Sequence, residues 1–338
     1  VLLYSGTGIE ENKTEAARYF KMSADNGHII AMFNYAFMLL NGNGVEVNKK
    51  EAAHYYKMSA DKGNENAMYS YAEMLYKGDG IPVDKKEAFQ YYKMSADKGV
   101  AVAMYSCGNM LYNGDGIPVD KQQAGHYYQK AASKKHINAM YCYAIMLFYG
   151  ECFDENKAKA AIYFKKSADN GCVKSMVHYA SMLLDGDGIE ADKPEAARYY
   201  KMAADKGDVD SMFNYAIMLN SGEGIEENKV EAARYCKMAA DKEHINAMYG
   251  YAFMLLYGQG VDVNKPKAAR YYKKAADKGY DKAMVNYAVM LDEGDGIPVN
   301  KKEAARYIKM AADNGNAEAM ASYGFRLNKG EGVSVNHK

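Results

Sequence analysis

The chain has 338 residues, 49% of them hydrophobic, with 43 Lys and Arg balanced by 43 Asp and Glu for a formal net charge of zero. A nucleic-acid or anionic-membrane partner normally leaves a basic excess, so no nucleic-acid partner is expected. No apolar run approaches the roughly 18 residues of a spanning helix, so no membrane insertion is expected within this segment.

The first residues already belong to a pattern. Val1-Leu2-Leu3 and Gly6-x-Gly8 match Met38-Leu39-Leu40 and Gly42-x-Gly44, so the chain opens inside a repeat. Ala-Met or Ser-Met then recurs every 36 residues, at Ala31, Ala67, Ala103, Ala139, Ser175, Ser211, Ala247, Ala283 and Ala319, without insertion or deletion. A fixed period of this length marks an array of one supersecondary unit that buries its apolar face only against its neighbours. The chain stops at His337-Lys338, where another helix is due. Neither end carries a polar capping repeat, which predicts one repeat solenoid over 1–338, a segment of a longer protein with partial repeats at both ends.

Residues 64–99 serve as the type repeat. Ala67, Tyr71, Ala72 and Leu75 share one helical face and predict a first helix from Ala67 to Tyr76. Gly78-Asp79-Gly80 ends it, and Ile81-Pro82-Val83 is an extended linker. Asp84 with Glu87 predicts a capping box, in which each side chain satisfies an orphan backbone N–H, for a second helix over Ala88–Asp97. The box recurs at Asn12/Glu15, Asn48/Glu51, Asp120/Gln123, Asp192/Glu195, Asn228/Glu231 and Asn300/Glu303. Tyr91, Tyr92 and Ala96 are its packing residues, and Gly99 is its stop, returning at Gly27, Gly63, Gly171, Gly207, Gly279 and Gly315. With no Trp, 32 Tyr and 23 Met, rings and thioethers carry the large-residue packing. The expectation is an all-α protein, a right-handed α/α superhelix of about nine helix-turn-helix repeats.

The run Ala247-x-x-x-Tyr251-Ala252-x-x-Leu255-x-x-Gly258-x-Gly260-Val261-x-x-Asn264, continued by Ala268-x-x-Tyr271-x-x-Lys274-Ala275-Ala276-x-x-Gly279, resembles the Sel-one-like repeat family, a branch of the tetratricopeptide-like helical repeats. The resemblance covers essentially the whole chain. Tyr stands where that family has Leu, Ala where it has its first Gly, and Tyr where it has Trp. The resemblance implies a non-catalytic adaptor or scaffold for other proteins, with no cofactor. A cysteine-rich branch of the family has been linked to β-lactam binding, but its paired cysteines are missing here.

Phases of the first helix that vary between repeats are expected to face a concave groove. The phase after Ala-Met holds Phe33, Tyr69, Tyr105, Tyr141, Phe213 and Tyr249; the next holds Asn34, Asn214 and Asn286; four residues on from the first come Phe37, Asn109, Ile145, Ile217 and Phe253. Rings give buried area and amides pair with a backbone, so the expected partner is a protein or peptide. Tyr249 and Phe253, four residues apart, are expected to stack. Residues 6–40 nearly repeat as 222–256, for example Tyr35-Ala36-Phe37-Met38-Leu39-Leu40 and Tyr251-Ala252-Phe253-Met254-Leu255-Leu256, which points to a block duplication of about three repeats.

The repeat from Ala139 to Val173 departs most, with Gly150-Glu151-Cys152 in place of Gly-x-Gly and Lys159 in place of the box acid; a plain degenerate repeat is the leading reading, and a local distortion or a contact is the alternative. Cys107, Cys142, Cys152, Cys172 and Cys236 are odd in number and follow no period, so they read as free thiols, which favour a reducing, cytoplasmic compartment. The sequon Asn12-Lys13-Thr14 points the other way, although an N-cap explains Asn12 equally well. His136, Cys142, Cys152 and Cys172 share a repeat without the close Cys pairs of a zinc site, so no metal is expected. Gly-x-Gly here stops a helix and follows no strand, so it is no phosphate loop, and no non-repeating acid–base constellation marks a catalytic site. A scaffold or adaptor is therefore the leading reading. The alternatives are a structural component bound through outer helices or ends, and a small-ligand binder or enzyme of the β-lactam type.

Overall fold

A computed structural model of the protein describes residues 12–333. The described residues form eighteen helices of 13 residues and no strand, and the chain divides into two compact units, Val1–Cys172 and Val173–Lys338. In the N-terminal unit these are α1 (Lys13–Asp25), α2 (Ile29–Asn41), α3 (Lys49–Asp61), α4 (Glu65–Lys77), α5 (Lys85–Asp97), α6 (Ala101–Asn113), α7 (Lys121–Ser133), α8 (Ile137–Tyr149) and α9 (Lys157–Asp169). In the C-terminal unit they are α10 (Val173–Asp185), α11 (Lys193–Asp205), α12 (Val209–Ser221), α13 (Lys229–Asp241), α14 (Ile245–Tyr257), α15 (Lys265–Asp277), α16 (Asp281–Glu293), α17 (Lys301–Asp313) and α18 (Ala317–Lys329). Each unit is thus a solenoid of four complete helix pairs, preceded by α1 in one and followed by α18 in the other. The repeats expected at Val1–Leu3, Gly6–Gly8 and His337-Lys338 lie outside the described residues.

Within a unit, each first helix packs against the second helix of its own repeat and against that of the repeat before it. That explains a core wider than one periodic face. On α4, Met68 and Met74 are buried together with Ala67, Tyr71, Ala72 and Leu75, because the helix is covered on two sides. The second helix is more one-sided: α5 buries Ala88, Phe89, Tyr91, Tyr92, Ser95 and Ala96 and leaves its Lys residues in water. Both helices start two or three residues earlier than the apolar pattern suggested, because their first turns carry polar residues that the cap, not burial, makes helical.

Only half of the expected capping box forms at Asn48, Asp84, Asp120, Asp192, Asn228 and Asn300. The cap side chain accepts the N3 amide, as in Asp84 Oδ1 from Glu87 N–H at 2.8 Å, Asp120 from Gln123 at 2.8 Å and Asn228 from Glu231 at 3.0 Å. The cap residue's own N–H, however, donates to a leucine carbonyl across the Gly-x-Gly turn: Asn48 to Leu39 and Asp84 to Leu75 at 3.0 Å, Asn264 to Leu255 and Asn300 to Leu291 at 2.8 Å. That bond closes the linker against the last turn of the first helix, so the N3 carboxylate is dispensable. Asn156 and Asn264 accordingly cap α9 and α15 through the amides of Lys159 and Lys267 at 2.8 and 3.0 Å. Asn12, the asparagine of the sequon, accepts from Glu15 N–H at 3.0 Å and is a helix cap.

The second glycine of the turn has two reasons to be glycine. Gly80 has φ +81°, and a Cβ on it would lie 2.5 Å from Lys49 Cβ at the start of α3. The turn of one repeat therefore rests directly on the second helix of the repeat before it. Salt bridges lie over the same contact, Lys49 to Asp79, Lys121 to Glu151 and Lys265 to Asp295, each at 2.6 Å, and Lys193 to Glu223 at 2.7 Å. On the outer face a second ladder joins successive second helices: Tyr55 donates to Asp25 at 2.6 Å, Tyr235 to Asp205 at 2.8 Å and Tyr271 to Asp241 at 2.6 Å.

The repeat from Ala139 to Val173 keeps this geometry, as a plain degenerate repeat does. Cys152 takes the left-handed conformation at φ 68°, and Gly150 ends α8 at φ 67° as its counterparts do. Its enlarged Phe153 is accommodated by a reduction on the preceding repeat, since a Cβ on Gly125 would lie 2.9 Å from the Phe153 ring. Lys135 and Glu243 replace the inter-repeat glycine at φ 64° and 68°. That stop is open, with nothing within 4 Å of a Cβ built on Gly207, so only backbone strain opposes a side chain there.

The histidines that follow are caps. His136 Nδ1 accepts from Ala139 N–H at 3.2 Å, and its ring stacks on Tyr105 at a centroid distance of 4.7 Å. Burial lowers the His136 pKa below that of a free imidazole. Protonation would also remove the Nδ1 acceptor. The folded state therefore favours the neutral ring, and its contribution to stability is complete above the unfolded value of about 6.5 and lost as pH falls through the lower folded value. His136→Asn keeps an acceptor, as Asn64 does for Ala67 at 2.8 Å, but cannot titrate. Tm measured against pH is expected to fall more steeply for the wild type than for His136→Asn below about pH 6.5; parallel curves refute the role of the imidazole.

Candidate functional site

The residues expected to line a binding face divide between the two units. Phe33, Asn34 and Phe37 stand on α2, Tyr69 on α4, Tyr105 and Asn109 on α6, and Tyr141 and Ile145 on α8; Phe213, Asn214 and Ile217 stand on α12, Tyr249 and Phe253 on α14, and Asn286 on α16. Phe37, Ile217 and Phe253 are exposed, and the others are half-buried.

Except for Phe213, which meets His244 at 4.8 Å, the half-buried rings pack inward, each on a ring of the second helix of the same repeat. Centroid distances are 5.6 Å for Phe33–Tyr56, 5.7 Å for Tyr69–Tyr92, 6.0 Å for Tyr105–Tyr128 and for Tyr141–Phe164, and 5.6 Å for Tyr249–Tyr272. The expected pairing of Tyr249 with Phe253 gives way to others: Tyr249 sits on Tyr272 and 5.3 Å from Tyr280, while Phe253 pairs with Tyr257 at 4.5 Å. The inner face of α14 is already filled by Tyr272, so Phe253 turns along its own helix.

Several polar groups of these rows already serve the phenols beneath them. Asn109 accepts the Tyr128 hydroxyl at 2.8 Å, Glu73 accepts that of Tyr92, and Asn286 Nδ2 donates to Tyr249 Oη at 3.4 Å. Burial, reinforced at Tyr92 by the Glu73 hydrogen bond and charge, holds the Tyr92 and Tyr128 phenols far above their usual pKa, so both remain donors throughout the working range. These contacts are structural satisfaction of buried hydroxyls.

The phase nearest water holds exposed Phe37 and half-buried Glu73, Asn109 and Ile145 in the N-terminal unit, and exposed Ile217, Phe253 and Val289 in three successive repeats of the C-terminal unit. Ile217 is 46%, Phe253 37% and Val289 44% exposed. An apolar side chain at the same exposed phase of α12, α14 and α16 makes a stripe, whereas Glu73 and Asn109 interrupt it in the N-terminal unit. Beneath the stripe is a depression of about 370 Å³, lined by Phe213, Ile217, Tyr249 and Phe253 together with Asn220 and Cys236. Sequence reasoning missed the last two. The signal was present, since Cys236 occupies a place that holds Tyr56, Tyr92, Tyr128, Phe164, Tyr200 and Tyr272 in other repeats.

None of the five cysteines is in a disulfide, and burial pushes the Cys107 and Cys236 thiols up to about 12, which makes them poor nucleophiles. Among the described residues no cluster of three or more His, Cys, Asp or Glu is arranged to hold a metal ion, and no helix is long and apolar enough to cross a membrane.

The Sel1 repeat model matches ten successive stretches: residues 1–28, 29–64, 66–100, 101–136, 137–172, 173–208, 209–244, 245–280, 281–316 and 317–338. Among solved structures the chain is similar to c5321, a protective antigen present in uropathogenic Escherichia coli strains displaying an SLR fold, at 24% identity, 99% coverage of this chain, 79% of that one and a TM-score of 0.78. It is also similar to a Sel1 repeat protein from Oxalobacter formigenes, at 23% identity, 91% and 90% coverage and a TM-score of 0.65. No curated protein matches. Matches that run almost end to end, at the same spacing as the helix pairs, place the chain in the Sel1 repeat family.

Proposed function

We propose that the protein is a non-catalytic scaffold that holds a protein partner against the first-helix face of its C-terminal unit. Sel1 repeats commonly serve as protein-interaction scaffolds. The observation that carries the reading is the exposed stripe Ile217, Phe253 and Val289, at one helical phase of three successive repeats. Apolar side chains at a repeated exposed phase add little to the fold and supply the buried area that an interface core needs. The bordering Asn286 and Tyr249 are engaged within the protein, so they present a rigid rather than an adaptable surface.

The test is an affinity pull-down from cell extract with the wild type beside Ile217→Ser/Phe253→Ser/Val289→Ser. These three side chains face water, so the variant is expected to fold with an unchanged helical circular-dichroism spectrum. A protein retained by the wild type and lost from the variant supports the reading. Retention of the same set by both moves the contact to the outer helices or the ends and overturns it.

A further inference from the structure

One repeat in the C-terminal unit has a small side chain where the others have a large one. In the other repeats the second helix carries a large residue there, aromatic except at Ile308, that fills the space beneath the first helix, and Tyr56, Tyr92, Tyr272 and Ile308 are at most 2% exposed. In this repeat the position is Cys236. Two further reductions meet it. The row that reads Asn34, Ser70, Ser106 and Asn286 holds Gly250, whose Cβ would lie 3.3 Å from Cys236 Sγ and 3.7 Å from the Phe213 ring. The row that reads Leu40, Tyr76, Tyr112, Phe148 and Leu256 holds Asn220. Its counterparts lie against the missing ring elsewhere, Tyr76 at 6.4 Å from Tyr92 and Phe148 at 6.3 Å from Phe164.

The result of three independent reductions at one point is the depression of about 370 Å³, within the usual size of a small-ligand site. Its walls are Phe213, Ile217, Tyr249, Phe253 and Met254. Cys236 lies at its base with Sγ donating to Ala247 O at 3.4 Å, so the thiol's proton is occupied. Ser221, Gln259 and Asn220 are its polar lining, and Asn220 has a buried Oδ1 with no hydrogen-bond partner. A buried acceptor left without a donor costs about 1–3 kcal/mol, so an occupant that brings a donor is favoured over one that does not.

The geometry points to a receptor pocket for a tyrosine side chain of the bound protein, its ring seated between Phe213, Tyr249 and Phe253 and its hydroxyl donating to Asn220 Oδ1. The partner thereby supplies the phenol that Tyr56, Tyr92, Tyr128, Tyr200 and Tyr272 provide in their own repeats. This rests on the scaffold reading above, because the mouth of the pocket opens at Ile217 and Phe253 of the exposed stripe.

The probe is p-cresol, the tyrosine side chain as a free molecule, with toluene as the ring without its donor. A saturable rise in Tm with p-cresol is expected, with toluene binding about tenfold more weakly. Cys236→Tyr restores the ring of the other repeats and is expected to fold with unchanged or higher Tm and to lose the response. Asn220→Leu, the residue at Leu40 and Leu256, is expected to retain ring binding and to lose the preference for p-cresol. No saturable response in the wild type, an undiminished response in Cys236→Tyr, or an undiminished preference in Asn220→Leu overturns the pocket. In the pull-down, a partner lost from the stripe variant but kept by Cys236→Tyr leaves the scaffold reading intact and removes the tyrosine anchor alone.

Discussion

Gly260→Ala is expected to destabilise the C-terminal unit by about 2–5 kcal/mol, the sum of left-handed backbone strain on a residue with a Cβ and of overpacking. Gly260 has φ +70°, and a Cβ on it would lie 2.0 Å from Lys229 O and 2.3 Å from Lys229 C at the start of α13. These are backbone atoms held by the cap of that helix, where Asn228 Oδ1 accepts from Glu231 N–H at 3.0 Å, so they yield only if the turn moves away from the neighbouring repeat. The control is Gly207→Ala, at φ +96° with nothing within 4 Å, expected to cost about 1 kcal/mol from strain alone. Lys135 and Glu243 already occupy that kind of position, while the turn position holds a side chain at Cys152. Urea titrations followed by circular dichroism check the pair. Because a repeat array can lose cooperativity, amide exchange in α13 and α14 locates the loss. Equal effects for the two substitutions refute the close-approach account.

The second large effect is expected at Tyr92, the central ring of its repeat. Tyr92 is 2% exposed, lies 5.7 Å from Tyr69 and 6.4 Å from Tyr76, and donates its hydroxyl to Glu73. Tyr92→Ala removes the ring and leaves a cavity that the flanking helices cannot close without breaking their own contacts, a loss of about 3–5 kcal/mol. Tyr92→Phe keeps the ring and removes one hydrogen bond, about 1 kcal/mol, because Glu73 retains its ion pair with Lys77. Denaturation midpoints of the two variants separate packing from hydrogen bonding. A Tyr92→Phe loss as large as that of Tyr92→Ala would place the stabilisation in the hydroxyl. Cys236 is the natural counterpart of such a truncation, and the depression above it is what the missing ring leaves.

The architecture was legible because each repeat writes the same local instructions. The spacing of Ala67, Tyr71, Ala72 and Leu75, the stop at Gly78 and the cap at Asp84 are short-range features, and α4 and α5 follow from them. The expected bounds were two or three residues short, since Glu65 and Lys85 are helical through caps whose partners are backbone amides, invisible to hydrophobic periodicity. The second half of the capping box failed for a related reason. The N–H of Asp84 is claimed by Leu75 O, a bond set by the path of the turn and by no side chain.

The sequence by itself determined the period, the helix pairs, the small-residue contacts and the family, because all of these are carried by residue types at fixed spacing. Only the tertiary structure decided which members of the variable rows face water. Tyr249 and Phe253 are equally plausible on a helical wheel, yet Tyr249 is drawn in by Tyr272 from the following helix, and Phe253 is left exposed. Asn220, Cys236 and Gly250 are distant in the repeat pattern, and each alone reads as an ordinary substitution. Packing α12, α13 and α14 together brings the three reductions to one point, and a cavity is a property of that convergence rather than of any one residue.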